Sequence, residues 1–129
     1  MSSTLLALST LPLEPEPAHL VGTGGALGAI ARYWVYLEVS WEEFPAATLV
    51  VNVFGSFLFG LLVFAGVDDS TLQLLGVGFC GSVTTFSSFS VETVQIWERG
   101  DRTVAAINAA TNLLVSVAAI GLAWAALAA

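Results

Sequence analysis

The chain has 129 residues, 57% of them hydrophobic and only 10% charged, with a mean hydropathy of +0.87; soluble domains carry about a quarter charged residues, so this balance points to a small integral membrane protein. Three basic against ten acidic residues give a net charge of -7, and Arg32, Arg99 and Arg102 alone cannot build the basic patch that nucleic acid requires. Cys80 is the only cysteine, which rules out an internal disulfide.

The opening "MSSTLLALSTLPLEPEPAHL" lacks the basic start of a signal peptide, and Pro12 interrupts its apolar part. "PLEPEP" reads as an extended linker, because each proline removes a donor and disfavours helix in the residue before it. Residues 1–18 are expected to form a tail, with a short interfacial helix as the rival reading. Residues 19–129 are expected to form the membrane domain. Four stretches in it are long enough to span: Leu20 to Leu37, Ala46 to Gly66, Ser70 to Val91 and Thr103 to Ala129. At 1.5 Å per residue each reaches about 27 Å or more, roughly a hydrocarbon core. The connections "EVSWEEFP", "VDDS" and "WERGDR" are short, so neighbouring helices run antiparallel. Trp41, Phe44 and Trp97 are expected interfacial anchors, and Ser70 is the expected cap of the third span. An even number of spans puts all three arginines near one side, a weak positive-inside signal compatible with insertion in both directions.

The first span contains "GTGGALGAIARY". Gly24 and Gly28 form a GxxxG, whose small residues let helix backbones approach closely. Arg32 either snorkels toward the head groups or meets an anion at a vestibule. The second span, "TLVVNVFGSFLFG", places Thr48, Asn52 and Ser56 near one face. Asn52 offers an uncharged amide, for an interhelical hydrogen bond or for a polar path.

The third span carries the most specific signal, "GFCGSVTTFSSFS". Gly76, Gly78 and Gly81 are expected to loosen the helix before the hydroxyl-rich run. A break frees backbone groups that must find partners, and carbonyls lining a cavity can hold a cation. Phe86 and Phe89, three apart, share a helix face. Core packing is the ordinary use of such a pair, but hydroxyls on both sides argue against a wholly apolar face. Aromatic ring edges are electropositive and attract a small anion without trapping it. Glu92, near the end of this span, is expected to be solvated or to serve as a cap. In the fourth span Asn108, Thr111, Asn112 and Ser116 either pack against the second span or form a polar track. His19 is expected to lie exposed at the interface. No His, Cys or carboxylate set has metal-ligand or catalytic spacing, and no nucleophile with a nearby base is evident, so an enzyme is not expected.

Together "GGALGAIARY", "FPAATLVVNVFGSFLFG" and "GVGFCGSVTTFSSFSVET" resemble the CrcB/Fluc family of fluoride channels. The likeness runs from about residue 24 to 93, with Ser82 where a second glycine is common and Ser88 where threonine is common. The resemblance implies an all-α membrane protein of four transmembrane helices per subunit, the third broken, paired as an antiparallel, dual-topology dimer. Two fluoride paths would follow the dimer interface, giving passive efflux of cytoplasmic fluoride across the plasma membrane. It implies Phe86, Phe89 and Asn52 as pore residues, with Thr48, Ser87 and Ser116 as further candidates for the polar track. It also implies a structural sodium ion at the dimer centre, held by the backbone carbonyls of Gly81 and Thr84. The partner in the lipid bilayer would be a second copy or an oppositely oriented paralogue. Two rivals remain: a four-span proton-coupled exporter, which needs a carboxylate deep in the membrane, and a structural subunit without transport.

Overall fold

The computed structural model describes Ser3 and residues 16–129, and among these residues all regular structure is helical. Helix α1 spans Pro17–Glu38. Pro17 stands at its first position, where a missing amide costs nothing and the ring already fixes a helical φ. Pro17 and Ala18, assigned to the tail by sequence, are therefore its first turn; apart from Ser3 and Glu16, the rest of that tail lies outside the described residues. Helix α2 spans Ala46–Ala65 and stops at Gly66, whose φ of 66° is the left-handed conformation that glycine adopts freely. The Gly66 amide closes on the carbonyls of Leu62 and Val63.

The third stretch is discontinuous. A short helix α3, Asp69–Thr71, leads into a widened π-helical segment π1, Leu72–Cys80, and then into α4, Gly81–Val83. Thr84 and Thr85 are extended (ψ 156° and 114°), and α5 resumes over Phe86–Glu98. Helix α6 spans Arg102–Ala128. The N-terminal cap of α3 is Asp68 rather than the expected Ser70, which lies inside the first turn. A carboxylate suits that place because it faces the positive end of the helix dipole. It accepts the Thr71 hydroxyl at 2.5 Å, and that bond holds the exposed Asp68 carboxyl below its ordinary 3.8.

The break comes three residues after Gly81, not directly at the glycines. Gly76 and Gly78 are buried within π1, and Gly78 serves contact with α1. A Cβ at Gly78 would lie 2.7 Å from the Val21 carbonyl and 3.0 Å from the Gly24 Cα. Opposite it, a Cβ at Gly24 would run into the Leu74 carbonyl, and one at Gly28 into the Phe79 carbonyl. The small-residue motif of α1 thus brings two backbones together. On the other side of the molecule α2 packs along α6. Thr48, Val51, Gly55 and Leu62 are buried on α2, and Ala105, Asn108, Asn112, Ala119 and Ala123 on α6. The two helices meet closely at Gly60, where a Cβ would lie 3.1 Å from the Ala123 Cβ, while Gly55 faces Thr84 and Val83 instead.

Three stretches are long and apolar enough to cross a membrane: Ala46–Ala65, Asp69–Glu98 and Arg102–Ala128. Sequence reading expected four. Helix α1 has the length, but four glycines, His19 and Arg32 dilute its apolar character. Large apolar side chains such as Ile30, Trp34, Leu113 and Leu114 point outward, as lipid contact requires and water would penalise. Trp97 lies in the last turn of α5 with the Arg102 guanidinium 5.0 Å above its ring.

Candidate functional site

Two extended residues inside an apolar span expose backbone groups that no helix satisfies. In hydrocarbon each open amide or carbonyl costs several kcal/mol. Asn52 of α2 resolves this. Its Oδ1 accepts the Thr85 amide at 2.7 Å, and its Nδ2 donates to the Thr85 carbonyl at 3.2 Å. One carboxamide thereby serves both sides of Thr85, as a neighbouring strand would. Gly55 permits the approach, because a Cβ there would collide with the Thr84 methyl and lie 3.1 Å from Val83. Thr85 also starts α5: its hydroxyl accepts the Ser88 amide and donates to the Ser88 hydroxyl, both at 3.1 Å.

The second Asn52 N–H donates to Asn112 Oδ1 at 3.0 Å. Asn112 in turn donates to Asn108 Oδ1 and to the Asn108 carbonyl, at 2.9 and 3.0 Å. Asn108 donates to the Thr93 hydroxyl at 2.9 Å, and Thr93 donates to the Phe89 carbonyl at 2.7 Å.

Beside the break lies a cavity of about 320 Å³, bordered by Asn52, Ser56, Thr84, Thr85, Phe86, Phe89, Asn112 and Ser116 together with the aliphatic Leu113, Val117 and Ile120. Its described lining has no ionisable side chain. The rings of Phe86 and Phe89 are 5.7 Å apart and inclined at 53°. Phe86 is 79% exposed, while the Ser116 hydroxyl oxygen is buried without a hydrogen-bond partner. A second hollow of about 390 Å³ shares Ser56 and Thr84 and reaches Gly81.

The structure therefore brings Asn52, Phe86, Phe89 and Ser116 together. Ser87 lies outside this lining, exposed, with its hydroxyl 3.3 Å from that of Thr85. Thr48, one turn before Asn52, is fully buried away from the cavity. Its hydroxyl donates to Glu92 Oε1 at 2.9 Å. With that single hydrogen committed, Tyr36 is the donor in the Tyr36–Thr48 bond. Glu92 is accordingly not a solvated or capping residue: it is half-buried, and its Oε2 has no partner. Arg32 reaches the break, its Nη1 lying 3.5 Å from the Thr84 carbonyl. The Thr85 amide that would close a helical turn on the Gly81 carbonyl is spent on Asn52, so that carbonyl loses its helical partner. Thr85, Tyr36 and Thr93 escaped the sequence reading. For Thr85 a signal existed, since a threonine directly before a helical run is an N-cap candidate.

The profile of the family described as CrcB-like protein, Camphor Resistance (CrcB), matches residues 19–124. The chain belongs to this family. Among its curated CrcB-like relatives, a Haloarcula marismortui protein named Fluoride-specific ion channel FluC 2 is 58% identical over 109 residues, which is 84% of this chain and 92% of that protein. Fluoride-specific ion channel FluC 1 of Halobacterium salinarum is 48% identical over 108 residues, 84% of this chain and 91% of its own. Fluoride-specific ion channel FluC of Saccharophagus degradans is 39% identical, over 78% of this chain and 80% of its own. The CrcB-like match runs from the first turn of α1 to near the end of α6, so the break and its cavity lie within it. Family and helices together define a multi-pass membrane protein.

Proposed function

We propose that this chain is a fluoride-selective channel of the cell membrane, releasing cytoplasmic fluoride passively along the cavity beside the helix break. The carrying observation is the lining: two inclined phenyl rings, a buried unpartnered serine hydroxyl and no charge. Fluoride is small and tightly hydrated, so a conducting path replaces its water with several weak donors. Ring edges and the Ser116 hydroxyl supply these. A fixed positive charge would hold the ion, whereas conduction needs multiple weak sites. Thr48 is buried with its hydroxyl committed to Glu92 and Tyr36, so of the two residues that stand off this cavity only the exposed Ser87 would serve its approaches. The curated relatives' names support the same reading.

The functional unit on this reading is a dimer of two subunits in opposite orientations, each contributing four helices with α1 as the first. Phe86, 79% exposed in the single subunit, is the side chain a second subunit would cover. That subunit is a second copy or a paralogue, and relatives numbered FluC 1 and FluC 2 fit either case. A sodium ion at the dimer centre is compatible with the Gly81 and Thr84 carbonyls, which are hard oxygen donors released from helical bonding by the break. When bound, it would supply a fixed charge tying the subunits together. Arg32 would have to yield its contact with the Thr84 carbonyl, freeing its guanidinium for a vestibule.

Fluoride efflux from liposomes carrying the protein tests the proposal, with Phe86→Ile as the decisive variant. Wild type is expected to release fluoride, and a folded Phe86→Ile to lose the flux. Equal flux in both removes the pore assignment. The buried, unpaired Oε2 of Glu92 favours a second reading, a proton-coupled exporter. Efflux that stops when the proton gradient is collapsed would select it.

A further inference from the structure

The hydrogen bonds around the break run in one direction. Thr85 N–H donates to Asn52; Asn52 donates to Asn112; Asn112 donates to Asn108; Asn108 donates to Thr93; Thr93 donates to the Phe89 carbonyl. The path leaves Thr85, the N-cap of α5, crosses α2 and α6, and returns to α5 at Phe89. Its two ends fix its sense, because a backbone amide only donates and a backbone carbonyl only accepts. Each of the three carboxamides is thereby locked in one of its two flip states. Asn52 also has no free N–H: one hydrogen goes to the Thr85 carbonyl and the other to Asn112 Oδ1.

We propose that Asn112 and Asn108, with Thr93 as terminal acceptor, are positioning residues that hold Asn52 in its clamping flip state and so set the spacing of Phe86 and Phe89. The proposal rests on the channel reading and adds to it that α6 contributes orientation rather than an ion ligand at Asn108, which stands behind the cavity-bordering Asn112. Asn108 is fully buried and Thr93 does not border the cavity, so neither can touch a passing ion there. Their influence on conduction is carried by hydrogen-bond geometry. In a low-dielectric interior such a series is cooperative, and loss of one member weakens the rest.

Thr93→Val tests this, being isosteric and remote from the cavity. In liposome efflux it is expected to lower the fluoride rate about tenfold, the scale set by one lost buried hydrogen bond. Thr93→Ser, which restores the hydroxyl, recovers the rate. A Thr93→Val rate equal to wild type overturns the relay, and so does an equal loss in Thr93→Val and Thr93→Ser, which would assign the effect to packing. Asn108→Leu combined with Thr93→Val is expected to be no slower than Asn108→Leu alone; additive losses would overturn the proposal. A further measurement needs no variant: deuterium exchange of the Thr85 amide in the wild-type protein. Protection matching the flanking helices is expected despite the extended backbone, and exchange within seconds overturns the relay. Wild-type liposomes that release no fluoride refute the channel reading itself, whereas protection at Thr85 is read independently of flux.

Discussion

Two nearby glycines of α1 should respond oppositely to alanine. At Gly24 an added Cβ meets the Leu74 carbonyl oxygen, with the Leu74 carbonyl carbon at 2.9 Å and the Phe79 nitrogen at 3.0 Å. All three are backbone atoms, so no rotamer change can relieve the clash; α1 must move away from π1. Overpacking typically costs 1–3 kcal/mol, and a contact with nothing flexible to yield belongs at about 3 kcal/mol. Gly22, half a turn earlier, has nothing within 4 Å of its Cβ, so alanine there gains about 0.5–1 kcal/mol of helix propensity. For a chain of this size 1 kcal/mol moves the midpoint by roughly 3–5 °C. Thermal unfolding of the detergent-solubilised protein, followed by far-UV circular dichroism, should therefore show Gly24→Ala about 10 °C or more below wild type and Gly22→Ala a few degrees above it. Equal midpoints for the two variants would refute the backbone-contact account of the glycine motif.

Thr48→Val removes the donor to Glu92 and the acceptor for Tyr36, leaving buried polar atoms unsatisfied. It is expected to lower stability by about 1–3 kcal/mol in chemical denaturation, and Tyr36→Phe by less, since Thr48 keeps its bond to Glu92. Asn52→Leu strips partners from both backbone groups of Thr85 and from Asn112. The sum, about 3 kcal/mol or more, should abolish recovery of monodisperse protein by gel filtration. Asp68 makes its contribution to stability above the ordinary carboxyl value of 3.8 and loses it as pH falls through the lower folded value. Thr71→Val removes the largest cause, so a carboxyl-carbon NMR titration should find Asp68 shifted back up toward 3.8.

Hydrophobic content and segment length made the helical, membrane-embedded class readable, because burying an apolar run in lipid needs no tertiary information. The phenylalanine pair and Asn52 were readable for a similar reason: three-residue spacing on a helix sets the ring contact, and an asparagine in an apolar run must find a partner. The position of the break was less legible. Glycines suggested a loosening at Gly76 to Gly81, and the helix is indeed widened into π1 over Gly76 and Gly78, but the chain opens fully only beyond them, at two threonines. What decides the site of opening is Asn52, 33 residues away in sequence, and no local propensity reports such a partner. Glu92 was misplaced on the same grounds. Its distance from the span end suggested water, while Thr48, 44 residues earlier, supplies the neighbour that holds it inside.

The dependence of Thr85 on a side chain from another helix has a consequence for biosynthesis. Before α2 is docked, an opened Thr85 would carry a bare amide and carbonyl into lipid, which the bilayer does not tolerate. Because α2 precedes Thr85 in the chain, the carboxamide that serves these groups is made before the segment that needs it. The opening thus depends on pairing with a helix already present in the chain, ahead of α6 in chain order.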